Sequence, residues 1–162
     1  MAEGTSSLDA KSRLRRELRS MRRALTDQPA RSERIRRVIV ELEAIRNARR
    51  VLVFDSIPGE PEMDGVRDDL AARGVEVCVP EDGPTSSWPD VVIVPGVAFT
   101  VRGDRLGQGG GWYDRYLATT RAGCIAVGVC FREQLRNDLP TEPHDVTIDV
   151  VVTDDGMVQP SG

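Results

Sequence analysis

The apolar residues of this chain fall into two rhythms. In the first third, Leu14, Leu18, Met21 and Leu25 recur three or four apart, an amphipathic stripe that predicts a helix ending near Thr26. Ser7 or Asp9 can cap its start. Asp27, Gln28 and Pro29 interrupt the pattern. Ile35, Val38, Ile39, Leu42 and Ile45 then resume it and predict one helix over about 30–47. From Val51 onward the apolar residues run continuously instead. Residues 51–54, 75–79, 91–94, 124–131 and 150–153 are short Val-rich runs followed by Asp55, Pro80, Pro95, Arg132 and Asp154. Such runs predict strands covered on both faces, hence parallel pairing. Val66 and Leu70 predict a helix over 64–73, ended by Gly74, so a right-handed β-α-β unit spans 51–79. Tyr113, Tyr116 and Leu117 predict another helix over 112–121. The result is an α/β sandwich with a mainly parallel sheet, one domain over 8–162 behind a flexible tail at 1–7.

Charge changes this picture little. Residues 1–50 hold fourteen Lys/Arg against seven Asp/Glu, whereas the remainder is acidic. A basic helix pair without any aromatic residue before Phe54 lacks the stacking groups of a nucleic-acid surface and fits a solvated helical face or a wall facing a small anion. No run approaches membrane-spanning length. Cys78, Cys124 and Cys130 sit in apolar strand-like surroundings without paired spacing, as reduced thiols of a cytoplasmic protein would. A metal cluster is excluded by residue count, because His144 is the sole histidine.

The candidate chemistry is concentrated after the 91–94 strand, in PGVAFTVRGDRLGQGGGWYDRYL. Gly96, Gly103, Gly107, Gly109, Gly110 and Gly111 lie between a buried strand and a helix, with Arg105 among them. Strand, glycine loop and helix can present backbone N–H groups and a positive helix end to phosphate. The spacing matches neither the P-loop nor the dinucleotide fingerprint, so by itself it fits a phosphate cradle or a set of tight turns. Lys11 and Arg15, four apart, share one helix face, and Lys11 is the only lysine in the chain.

The stretch from Pro95 to Leu117 resembles the signature of 5-formyltetrahydrofolate cyclo-ligases, and the resemblance extends to KSRLRRELRSMRRAL at 11–25 and to FREQLRNDLPTEPHDVTID at 131–149. It implies a three-layer Rossmann-like sandwich. It also implies ATP-dependent closure of 5-formyltetrahydrofolate to 5,10-methenyltetrahydrofolate by a monomer or homodimer without nucleic-acid or membrane partners. Lys11, Arg15, Arg105, Gly107, Gly109, Gly110 and Gly111 would hold ATP, and Asp114 would hold Mg²⁺. Glu60, Trp112 and Tyr113 would meet the reduced folate. Arg105 and Asp114 would be the catalytic pair, with Arg105 a loop charge that the fold can do without. Two departures stand out. Gln108 and Gly110 occupy positions where relatives often carry a cation. After Pro80 the chain has only the linker EDGPTSS where many members have further pocket walls. A shortened pocket predicts weak folate turnover, and the alternative is a nucleotide-binding or regulatory relative that has lost it. Trp88 lies either on the sheet edge or over the pocket, and His144 either carries a proton or sets a turn.

Overall fold

A computed structural model describes residues 7–158. The chain begins with α1 (Ser7–Arg23), α2 (Gln28–Glu41) and α3 (Glu43–Arg46). It continues through β1 (Arg50–Val53), α4 (Asp64–Ala72), β2 (Glu76–Cys78), β3 (Val91–Pro95), β4 (Ala98–Thr100), β5 (Arg105–Leu106) and α5 (Trp112–Leu117). The last strands are β6 (Ile125–Val129), β7 (Leu135–Arg136), β8 (Val150–Thr153) and β9 (Gly156–Val158). Apart from Ser7, the tail expected at 1–7 lies outside the described residues.

The main sheet has the order β2-β1-β3-β6-β8-β9. Every pair is parallel except β8 with β9, so the expected mainly parallel sheet is present. Each strand sends alternate residues to opposite faces. Val51, Val53, Val91, Ile93, Val127, Val129 and Val152 pack beneath α2, α3 and α4 against Ile35, Ile39, Ile45 and Leu70. Leu52, Val92, Val94, Ala126 and Val151 face the other way, against Phe99, Leu117 and Ile148. Both faces are therefore dry, which is why the strands read as unbroken apolar runs.

Several elements differ from the sequence pattern, among them β9, which no apolar run marks. The helix expected over 30–47 is broken at Leu42, whose extended backbone (ψ 137°) separates α2 from α3. Leu42, at the break, and Ile45, beyond it, are both buried in the core on the sheet face beneath α2, α3 and α4. The helix expected over 112–121 is only six residues long, so it adds little dipole at the loop. A second sheet, β5-β4-β7, was not apparent from the pattern, because its strands are two or three residues long. This small sheet is the floor for α1: Leu18 packs on Val97, Ala98, Leu106 and Leu139. Gln134 locks the turn above it, its amide nitrogen donating to Gly96 O (3.1 Å) and Val97 O (2.9 Å).

Candidate active site

The strand order switches direction at β1 and β3, where the chain leaves β2 and returns to the far side of β1. Open α/β sheets bind ligands at the carboxyl ends of such strands. Two adjoining cavities lie there. The first, of about 360 Å³, is lined by Lys11, Arg15, Arg105, the 107–111 loop, Asp114 and the turn carrying Glu142, His144 and Asp145. The second, of about 380 Å³, is lined by Phe54, Asp55, Pro80, Glu81, Trp112 and Tyr113. Pro95, Trp112 and Tyr113 border both.

Packing α1 on the small sheet brings its Lys11–Arg15–Leu18–Arg22 face inward. Lys11 is buried, and its Nζ meets Glu142 and Asp145 at 2.9 Å each. Burial acts to lower the lysine, but hydrogen bonds and charge from Asp145 and Glu142 outweigh it and raise its pKa. Burial acts to raise Asp145, yet Lys11 holds it below the usual aspartate value. The sole lysine is thus already paired with two carboxylates. Arg15 Nε donates to Gly107 O (2.8 Å), and burial lowers its pKa.

Arg105 does not project freely from a loop. It lies in β5, its Nε donating to Pro95 O (2.7 Å) and its guanidinium stacked 5.1 Å from the centre of the Tyr113 ring. Protein surrounds it on most sides, pushing its pKa down, while the cavity keeps it partly open to solvent. Its two terminal nitrogens have no protein hydrogen bond among the described residues and remain available to an anion. A Cβ on Gly107 would lie 2.8 Å from Arg105 Nη2, so the missing side chain lets the guanidinium rest on the loop backbone. Gly109 (φ 117°) and Gly111 (φ 70°) adopt left-handed backbone that favours glycine, whereas a Cβ added at Gly110 would meet nothing within 4 Å.

Asp114 Oδ1 accepts the Val146 N–H (3.1 Å), leaving the other oxygen without a hydrogen-bond partner among the described residues. No group of three His, Cys, Asp or Glu among those residues could hold a metal by itself. One carboxylate beside the glycine loop would fit magnesium if phosphate were bound there, since that ion commonly takes one or two carboxylates and completes its shell with phosphate and water. Trp112 stacks on Tyr116 at 4.8 Å and meets Tyr113 edge-on.

Glu60 lines neither cavity. The 54–63 loop folds inward on the Glu60 N–H to Ile57 O bond and on Ser56 Oγ to Pro61 O, while Met63 enters the core. This buries Glu60, whose Oε1 accepts Ile57 N–H (2.9 Å), and burial raises its pKa despite the charges of Arg22 and Arg105. Trp88 lies against Arg50, at the amino end of β1, and lines neither cavity. Sequence reasoning overlooked Glu142, Asp145 and Arg19. Arg19 Nη2 donates to Gln108 O (2.9 Å) and, with Nε, to Gln108 Oε1. Its place one helical turn beyond Arg15 was the available signal.

A family model described as the 5-formyltetrahydrofolate cyclo-ligase family matches residues 7–87 and 84–154, two segments that meet in the linker before β3. The 5-formyltetrahydrofolate cyclo-ligase of Saccharomyces cerevisiae is 39% identical over 75 residues, covering 43% of this chain but only 36% of the yeast protein. The protein of that name in Mus musculus is 24% identical over 199 aligned positions, covering 90% of this chain and 94% of the mouse protein. Because that alignment is longer than this chain, the mouse protein has residues without a counterpart here. Among solved structures, the 5,10-methenyltetrahydrofolate synthetase of Aquifex aeolicus shares the fold with a TM-score of 0.80 at 24% identity, covering 94% of this chain and 93% of that one. The synthetase of Mycoplasma pneumoniae has a TM-score of 0.79 at 22% identity, covering 89% and 98%.

Proposed function

The chain belongs to the 5-formyltetrahydrofolate cyclo-ligase family, and on that premise we propose that it converts 5-formyltetrahydrofolate to 5,10-methenyltetrahydrofolate, with ATP split to ADP and phosphate. The observation that carries this reading is the cavity at the carboxyl end of β3, where Lys11, Arg15, Arg105 and the glycine loop converge.

The formyl oxygen of an amide is a poor leaving group. Transfer of the terminal phosphoryl group onto it makes phosphate the leaving group. The nitrogen at position 10 then attacks the formyl carbon, the carbon–oxygen bond breaks, and that nitrogen loses its proton as the ring closes. No enzyme nucleophile is needed, so the protein's task is orientation and charge neutralisation. Arg105 and Arg15 meet the phosphates, and Lys11 turns part of its charge toward them from between Glu142 and Asp145. The backbone of Gly107, Gly109, Gly110 and Gly111 wraps the chain of phosphates. Asp114 would hold Mg²⁺, which supplies further neutralisation of phosphate charge. Trp112 and Tyr113 separate the nucleotide from the pterin, which enters the second cavity. Glu60 acts from behind Arg105 and Tyr113 rather than on the ring itself.

The partners on this reading are two small molecules, ATP and a reduced folate, acted on by a monomer or homodimer. Among the described residues no helix is long and apolar enough to cross a membrane. The three cysteines are unpaired, in keeping with a reducing cytoplasm. The break of the family match at 84–87 favours one second reading, a nucleotide-binding relative without folate turnover. The test is absorbance of methenyltetrahydrofolate with and without ATP, alongside phosphate release. ATP-dependent product formation supports the synthetase. Nucleotide binding or phosphate release without product supports the second reading, and neither signal rejects both.

A further inference from the structure

Arg15 and Arg19 stand one turn apart on α1 and take the carbonyls of consecutive loop residues. Arg15 Nε donates to Gly107 O at 2.8 Å. Arg19 Nη2 donates to Gln108 O at 2.9 Å and to Gln108 Oε1 at 2.7 Å, while its Nε donates to the same Oε1 at 3.0 Å. All described peptide bonds are trans. In a trans peptide the C=O of one residue and the N–H of the next point in opposite directions. Drawing the carbonyls of Gly107 and Gln108 toward α1 therefore turns the N–H groups of Gln108 and Gly109 away from the two arginines. Neither N–H has a backbone or side-chain acceptor among the described residues, and both residues line the first cavity. The fork on Gln108 Oε1 also fixes which way that amide faces, leaving its buried Nε2 a donor without a partner. Arg15 borders the cavity; Arg19 does not.

We propose that Arg19 is a positioning residue for the nucleotide. It grips the Gln108 side chain and carbonyl, and so holds the 107–111 loop in the shape that offers successive N–H groups to phosphate. This rests on the nucleotide reading of the first cavity.

The experiment compares wild type with Arg19→Ala, Arg19→Lys, Gln108→Ala and the double variant Arg19→Ala/Gln108→Ala. Kinetics are measured against ATP and against 5-formyltetrahydrofolate, and hydrogen exchange is followed over residues 105–111. Loss of charge-assisted contacts of this kind should raise the ATP KM of Arg19→Ala about tenfold. kcat and the folate KM should stay within about twofold, the range of independent effects. Exchange of the loop amides should quicken while the sheet is unchanged. Arg19→Lys should fall between, since an ammonium cannot make the fork. The double variant should be no worse than the worse single one. An ATP KM for Arg19→Ala within about twofold of wild type, or additive effects in the double variant, overturns the proposal. Absence of turnover in wild type counts against the cyclo-ligase reading alone, and calorimetric affinity for an ATP analogue then decides. A wild type that binds and an Arg19→Ala variant that binds weakly sustain the clamp. Equal affinities, or no binding by wild type, reject it.

Discussion

Replacing Arg105 by alanine separates what the site does for the ligand from what it does for the fold. The substitution removes the Nε–Pro95 carbonyl bond (2.7 Å) and the stack on Tyr113 (5.1 Å). A hydrogen bond from a charged donor contributes about 1.5–3 kcal/mol and a partly desolvated cation–π contact about 0.5–2. Allowing for water entering the space through the cavity, a loss of about 2–4 kcal/mol is expected. For a domain of this size that lowers the melting temperature by roughly 4–16 °C. The two terminal nitrogens that face the cavity are lost as well, which should weaken an ATP analogue about tenfold or more. Arg105→Lys keeps a charge but cannot hold the carbonyl and the phosphate together, so it should recover part of the affinity and little of the stability. Thermal melting and calorimetric titration on the same samples read the two effects. Affinity unchanged in a destabilised Arg105→Ala would make the residue a strut for β3 and nothing more. A melting temperature unchanged in both variants would refute the reasoning from the Pro95 and Tyr113 contacts.

Asp145→Asn should cost about 1–2 kcal/mol at neutral pH, because Lys11 loses a charged acceptor while the Glu142 N–H keeps one. Asp145 titrates below its ordinary value, so its contribution is present above about pH 4 and fades as pH falls through the depressed value; Lys11 is raised, so its contribution fades only above about pH 10. Denaturant melts at pH 7 and pH 3 check this, and an equal cost at both would contradict it. Asp114→Asn retains an oxygen for the Val146 N–H, so it should fold normally yet lose Mg²⁺-dependent turnover by about a hundredfold. Full activity with a lower melting temperature would reduce Asp114 to a structural role. Gly103→Ala should destabilise by about 3 kcal/mol or more, since a Cβ there would lie 2.2 Å from Ile148 O at a φ of 96°. A circular-dichroism melt within a degree or two of wild type would show that the hairpin yields.

The sequence alone determined the five parallel strands of the main sheet, most of the helices and the identity of the loop. Each buried strand is dry on both faces, so an unbroken apolar run suffices to identify it, and period-four stripes mark α1 and α2. Lys11 could be singled out as the only lysine, and Arg15 shares its helix face. Local pattern could not reach contacts made across the chain. Lys11 finds Asp145 at a separation of 134 residues, and Arg19 finds Gln108 at 89. Those pairings arise from α1 docking on a small sheet whose strands are too short to leave a period in the sequence. The inward fold of Glu60 and the break at Leu42 come instead from packing on the main sheet. A polar loop and a continuous helix were locally acceptable, but filling the sheet face beneath α2, α3 and α4 required Met63, Leu42 and Ile45 in the core, and burial overrode local preference.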